Sequence, residues 1–391
     1  MAILCGAEGN KFLISNESKL VQPWWPKSID KIFPKSNLEF MKEDSPRVRK
    51  ILHPFLKADA LQNYVPVMDQ VMKKHLETDW SSRDQVKVAP AVSKYTFTLA
   101  CRLFLSIEDG ERVEELMKPF GDLAAGIVSM AINLPGTAFN RAIKASRCMR
   151  KDIEEMIKKR KQDKLWDKRD LLWCMMDGNG DYEDFLTESD VASTMLGLLH
   201  AGTHTLNVAL TFIAMYLAEL PHVYDEVFKE QRGIAKWKEE NGEEFLNWDD
   251  IKKMKYSCNV VSEVLRMRPP SLGTFREAIV DFTYGGYFIP KGWKVHMISH
   301  STHKNPEYFP DPEKFDPSRF EGKGPRPYTF VPFGGGPRMC PGNEFARIVM
   351  LVFMHNLVNK FKWEKVIPNE RVVIDPLPRP VQGLPIWLHP I

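Results

Sequence analysis

The chain has 391 residues, 43% hydrophobic and 27% charged, with 54 Lys and Arg against 51 Asp and Glu for a net charge of +3. Those figures allow one large core or two ordinary domains, and they exclude a disordered chain, a collagen and a disulfide-built scaffold. Basic and acidic residues are mixed along the chain with no basic tail, which argues against nucleic acid as a partner.

Met1-Ala-Ile-Leu-Cys5 is too short for a signal peptide, and Ile3 to Ile32 reads as a short strand pattern with turns, broken at Trp24-Trp25-Pro26. Val48, Ile51, Leu52, Phe55 and Leu56 then recur at helical spacing, and an amphipathic stretch follows from Leu61 to His75. Helices are expected over Tyr95 to Leu105 and Val113 to Ile132, the second ending near Leu134-Pro135-Gly136. Lys158-Lys159-Arg160-Lys161, followed by Asp163, Lys164 and Asp167, reads as a solvated helix end. Asp177-Gly-Asn-Gly-Asp181 with Glu188 approaches a calcium-loop spacing. Tyr182 stands where that loop needs glycine and Phe185 fills its ninth position, so a turn is expected.

Thr187 or Ser189 caps a helix running through Leu196 and Phe212 to Leu220, where Pro221 stops it. Its stretch Met195 to Leu220 comes nearest to the roughly 18 apolar residues of a bilayer span. His200, His204, Asn207 and Glu219 interrupt it, so it reads as a central buried helix. Another helix starts near His222, and a pair from Ile251 to Met267 ends at Pro269-Pro270. Alternation at Phe282, Tyr284, Tyr287-Phe288-Ile289 and Trp293-Lys294-Val295, between glycine and proline turns, predicts a small antiparallel sheet. A last amphipathic helix, Glu344 to Phe361, leads into short strands. With no repeat or linker, residues 1–391 are expected to form one domain, mainly α with small β sheets.

Six cysteines (Cys5, Cys101, Cys148, Cys174, Cys258 and Cys340) contain no C-x-x-C pair, so no zinc ribbon or thioredoxin-like site is expected and a reducing compartment fits. Cys340 stands apart, in Phe333-Gly-Gly-Gly-Pro-Arg338-Met-Cys340-Pro-Gly342. Glycines let backbone N–H groups approach a sulfur, and the N-terminus of the helix that follows favours a thiolate. A lone soft thiolate without a second Cys or nearby His is a poor zinc site. It suits the axial position of haem iron, where the macrocycle supplies four ligands, and Arg338 is placed to pair with an anionic propionate.

At these residues the sequence resembles the cytochrome P-450 family, whose signature carries Phe, Gly, Arg, Cys and Gly at the positions of Phe333, Gly336, Arg338, Cys340 and Gly342. Glu263-Val-Leu-Arg266 resembles the family's E-x-x-R element, and Pro317-Ser-Arg319-Phe320 its downstream arginine partner. The resemblance implies a structural triad of Glu263, Arg266 and Arg319 that holds the haem core. Ala201-Gly-Thr-His204-Thr205 resembles the oxygen-activation segment, where an acid precedes a threonine. Thr205 is present, but His204 replaces the acid. A histidine relays protons near neutral pH yet lacks the negative charge. His204 is therefore a substitute relay, or another water path serves, or oxygen activation couples poorly and loses peroxide, or His204 packs away from oxygen. His200 and His204 as a metal pair lack a third ligand nearby.

Glu8-Gly-Asn-Lys-Phe12, Ala100 to Glu108, Leu134 to Thr137, Tyr216 to Pro221 and Leu272 to Glu277 are similar to the plant branch that contains beta-amyrin 28-oxidases and related triterpenoid oxidases. Taxane, abscisic-acid and brassinosteroid oxidases are neighbouring possibilities. The resemblance implies haem b ligated by Cys340, O2, NADPH acting through a separate reductase, and a hydrophobic terpenoid as substrate. It places Leu199, Ala201, Leu272, Phe275 and Leu384 in recognition segments, although core packing explains each nearly as well. Arg49 matches a propionate-pairing position loosely, with Ser45 where an aromatic or histidine is commoner. Members of this branch carry an N-terminal anchor in the endoplasmic reticulum membrane and face the cytosol. The chain begins after that anchor and the first strands, so it is expected to be truncated, monomeric, and cytosolic or peripheral. Asn16-Glu-Ser18 is then an unused glycosylation acceptor. The expected activity is insertion of oxygen into a terpenoid C–H bond. A haem-thiolate isomerase or dehydratase is disfavoured by Thr205, and a catalytically silent haem binder is the remaining alternative.

Overall fold

A computed structural model of the chain describes residues 1–34, 45–163, 170–176 and 187–391, with backbone alone at 45–48 and 163. The turn expected at Asp177 to Asp181, with Tyr182 and Phe185, lies outside the described residues, as do Lys164, Asp167 and the side chain of Ser45. The chain divides into two compact units. The first holds Met1–Trp24, Gln62–Val92 and Thr205–Ile391, and the second holds Trp25–Leu61 and Ser93–His204.

Among the described residues, all the sheets belong to the first unit. Strands β1 (Ala2–Leu4), β2 (Val21–Pro23), β4 (Gly273–Ala278) and β7 (Lys294–Ile298) form a four-stranded sheet in the order β1-β7-β4-β2. Strand β3 (Gln85–Lys87) pairs with β11 (Pro385–Pro390), which pairs with β8 (Phe361–Lys365). Two-stranded ribbons join β5 (Phe282–Tyr284) to β6 (Tyr287–Ile289), and β9 (Val372–Ile374) to β10 (Pro378–Pro380). The expected alternation at 282–295 is therefore split between the β5–β6 hairpin and β7. Leu4, Leu13, Val21, Ala278, Phe282, Ile289, Val295 and Met297 form a core beneath the larger sheet.

The helix Gly6–Ser15 stands where strand and turns were expected. Its buried positions are Gly9, Asn10 and Leu13, so the inward face carries almost no apolar signal. Asn10 is held there by donating to the Tyr328 carbonyl at 2.8 Å. The amphipathic helix Ala58–His75 continues into a π turn over Leu76–Trp80, where the Trp80 indole and His75 ring bond at 3.0 Å.

In the second unit the helices Gly110–Ile127 and Ala138–Asp163 pack together. A Cβ at Gly126 would fall 2.0 Å from that of Ala142, so only glycine permits this approach. Arg160, inside the basic run, does not point to water alone. It pairs bidentately with buried Asp170 at 2.6 and 2.9 Å.

The central helix spans Glu188–Glu219. Thr187 caps it by accepting from the Asp190 amide at 3.2 Å while Asp190 accepts from the Thr187 amide at 3.0 Å. Pro221 opens the next helix, which ends at Gly242 in the left-handed conformation with φ 68°. Among the described residues, the central helix alone is long and apolar enough to cross a membrane, and most of its apolar stretch is buried inside the protein, as a core helix would be.

Candidate active site

The final helix, Asn343–Lys360, begins three residues after Cys340 and directs its N-terminus toward the loop that carries the sulfur. Gly342 caps it, its carbonyl accepting from the Ala346 amide at 2.9 Å. The Cys340 amide donates to the Phe333 carbonyl at 2.8 Å, closing the loop, while Gly334 and Gly336 adopt φ of 72° and 61°. Side chains at Gly335 or Gly336 would strike Ile14 of the first helix at 2.7 or 2.6 Å. The glycines thus serve two needs, a left-handed turn and close packing on the helix Gly6–Ser15. Cys340 is half-buried and outside any disulfide.

Arg338 lies with its Nε 3.6 Å from Glu17 Oε1. The other oxygen of Glu17 accepts from Arg276 Nε at 2.6 Å, and Arg276 also donates to the Thr274 hydroxyl at 2.6 Å. One buried carboxylate therefore orders two guanidiniums and leaves the cluster with a net positive charge, suited to an anionic group. Sequence reasoning found Arg338 and missed Glu17 and Arg276. The segment Leu272 to Glu277 did mark the strand, but Arg276 meets Glu17 across 259 positions of sequence.

Glu263, Arg266 and Arg319 lie together. Glu263 and Arg266 are wholly buried and bond bidentately, Nε to Oε2 at 2.7 Å and Nη2 to Oε1 at 2.8 Å. Arg319 Nε stands 3.5 Å from Glu263 Oε1, which also accepts from the Asp316 amide at 2.8 Å. Arg266 extends to the His303 carbonyl at 2.8 Å. The His303 ring accepts from the Val331 amide at 2.9 Å, two residues before Phe333, and burial presses its pKa down to about 3. His303 thus joins the triad to the cysteine loop, a link that no motif announced.

On the central helix, residues advance by about 100° per position. His200, Ala201, His204 and Thr205 fall within one sector, and all four retain accessible surface, whereas Leu196, Leu199, Thr203 and Leu206 are buried. A mostly buried helix thus keeps an open stripe at the segment expected to handle oxygen. The His200 and His204 rings stack, centroids 5.2 Å apart and planes at 26°, an arrangement of faces rather than of converging nitrogens. Among the described residues no group of three or more His, Cys, Asp or Glu is placed to hold a metal. Burial lowers the pKa of His204, so this ring is neutral near pH 7.

The five recognition residues divide. Ala201 is exposed on the stripe, Leu272 is half-buried, and Phe275 is exposed on β4 and stacked on His296 at 4.1 Å. Strand alternation puts Phe275 on the face opposite Thr274 and Arg276. Leu199 and Leu384 are buried in the core and present no surface to a ligand. Arg49 is half-buried on the helix Ser45–Leu56 of the second unit.

A cysteine sulfur just before a helix N-terminus, with no group of three or more His, Cys, Asp or Glu placed to hold a metal among the described residues, fits the single protein ligand that a haem needs. Such a sulfur within a helix-rich fold with small sheets defines the haem-thiolate monooxygenases. The chain belongs to the cytochrome P-450 family, whose model matches residues 1–383. It is similar to a beta-amyrin 28-monooxygenase of Saponaria officinalis, 53% identical over 394 residues that cover all of this chain and 81% of the relative. It is likewise 56% identical to a beta-amyrin 16-beta-monooxygenase of Platycodon grandiflorus over 400 residues, all of this chain and 83% of that one. Among solved structures, the retinoic-acid-bound cyanobacterial CYP120A1 superposes with a TM-score of 0.90 at 32% identity, covering 100% of this chain and 89% of its own.

Proposed function

We propose that residues 1–391 act as one monomeric catalytic domain that inserts an oxygen atom into an unactivated C–H bond of a pentacyclic triterpene, with O2 as oxidant and NADPH electrons delivered by a separate reductase. The observation that carries this reading is similarity, over all of this chain and 81 and 83% of the relatives, to beta-amyrin monooxygenases at 53 and 56% identity. Those two relatives oxidise different positions, 28 and 16-beta, so the similarity supports the substrate class and leaves the carbon open.

In this reading Cys340 Sγ would hold the haem iron, with the helix N-terminus stabilising its negative charge. Arg338 pairs with a propionate while Glu17 fixes its orientation, and Arg49 serves as a further propionate partner. Haem, if bound there, would supply the oxidising equivalent, and the Cys340 thiolate would donate electron density to it. Thr205 holds a proton at its hydroxyl on the open stripe, while Gly202 lets the Phe104 ring pack against the helix, where a Cβ would fall 3.1 Å from it. The neutral ring of His204 accepts and returns a proton but does not supply the carboxylate charge of the usual acid. Atoms balance as substrate, O2, NADPH and one proton giving the alcohol, water and NADP+.

The neutral His204 also favours a second reading, a haem-binding homologue that couples electrons to product poorly. Both are tested by incubating the haem-loaded protein with a plant reductase, NADPH and beta-amyrin, measuring NADPH, peroxide and products by mass spectrometry. A product heavier by one oxygen supports the monooxygenase. Peroxide formation with no product supports the impaired homologue.

A further inference from the structure

The carboxylate of Glu17 reaches the cysteine loop from the far end of the sequence. It follows the helix Gly6–Ser15, whose residue Ile14 lies against Gly335 and Gly336, where added Cβ atoms would fall 2.7 and 2.6 Å from it. That packing holds Glu17 beside Arg338, two positions before Cys340, with the arginine Nε 3.6 Å from Glu17 Oε1. The other oxygen of Glu17 accepts from Arg276 Nε at 2.6 Å. The Glu17 side chain is only 3% exposed, against 13% for Arg276 and 12% for Arg338. Water and salt therefore screen this charge weakly, and it acts on its surroundings more strongly than a surface carboxylate does.

We propose that Glu17 is a positioning residue with an electrostatic role: acting through Arg338 and Arg276, its charge holds down the reduction potential of the haem that Cys340 would ligate. The inference rests on the haem-thiolate reading above and deepens it. Two guanidiniums beside the ligand loop favour reduced iron, which carries one positive charge fewer than oxidised iron. One buried carboxylate between them offsets half of that charge. Arg276 also donates to the Thr274 hydroxyl at 2.6 Å and the Phe275 carbonyl at 3.0 Å. Both of those partners are neutral, so the offset comes from Glu17. A lower potential reduces the driving force for electron entry from a reductase, and Glu17 thereby restrains NADPH consumption.

The test is an equilibrium reduction of the haem-loaded protein, without substrate, against dyes of known potential. Wild type is compared with Glu17→Gln, which removes the charge, and with Glu17→Asp, which keeps it. Glu17→Gln is expected to shift the reduction equilibrium about ten-fold toward the ferrous form, about 59 mV for one electron, and Glu17→Asp to shift it less than half as far in millivolts. A Glu17→Gln that is unshifted or shifted the other way overturns the proposal. So does a Glu17→Asp that shifts half as far or more, because a packing defect moves both variants alike. If Glu17→Gln fails to load haem, Arg276→Gln decides. Removing the opposite charge is expected to move the equilibrium about ten-fold toward the ferric form, and an equilibrium left in place or moved the other way overturns the proposal. A wild type without a reduced carbon-monoxide peak at about 450 nm overturns the haem-thiolate reading itself, and this inference with it.

Discussion

The carboxylate of Glu263 is buried among Arg266, Arg319 and the Asp316 amide. Taking away its charge leaves a buried guanidinium uncompensated, which typically costs about 3–5 kcal/mol. Glu263→Gln is therefore expected to lower the urea midpoint sharply and to reduce haem-loaded yield, whereas an unchanged midpoint would show that the triad is dispensable. On the central helix, His204→Asp is expected to shift electrons from peroxide to product, and Thr205→Ala to do the opposite, each by roughly ten-fold or more. The ratio of peroxide to NADPH consumed reports both. At this scale the sequence is informative wherever chemistry is local. Cys340, Arg338 and the glycines lie within ten positions, so spacing alone exposes them. Glu17 meets Arg276, and His303 meets Val331, only through the fold.

Helices announced themselves by the period of their apolar residues. Central and final helices differ from expectation by a residue or so at their ends, because Thr187, Pro221 and Gly342 punctuate them locally. Gly6–Ser15 escaped because glycine and asparagine fill its buried face, and strands of three residues are too short to show alternation. The pairing of β1 with β7 joins Ala2 to Val295, a contact that no local pattern encodes. Two glycines of one helix give opposite predictions. Gly126→Ala forces a Cβ into Ala142 and is expected to lose about 1–3 kcal/mol. Gly121→Ala meets nothing within 4 Å and is expected to gain up to about 1 kcal/mol through helix propensity. Thermal melts of the two variants should move in opposite directions, and parallel shifts would contradict the close packing of Gly110–Ile127 on Ala138–Asp163.

Across the whole molecule, burial keeps several imidazoles neutral. His200 and His303 are pressed down to about 3 and His355, bonded to Gln231 at 2.8 Å, to about 4. Unfolded histidine titrates near 6.5. Between those values the unfolded chain binds more protons than the folded one, so this stability is complete above about pH 6.5 and is lost as pH falls toward 4. The three groups together give a slope of roughly 4 kcal/mol per pH unit at its steepest. Denaturant midpoints at pH 7 and pH 5 should differ accordingly, and equal midpoints would mean that the rings are not held neutral.

Cys340 is the residue expected to present a thiolate to haem iron. The reduced, carbon-monoxide-bound difference spectrum of the haem-loaded protein reads that bond directly. A peak at about 450 nm, lost in Cys340→Ser, is the expected result. Absence of haem, or a peak at about 420 nm in the wild type, would contradict a native thiolate site at Cys340.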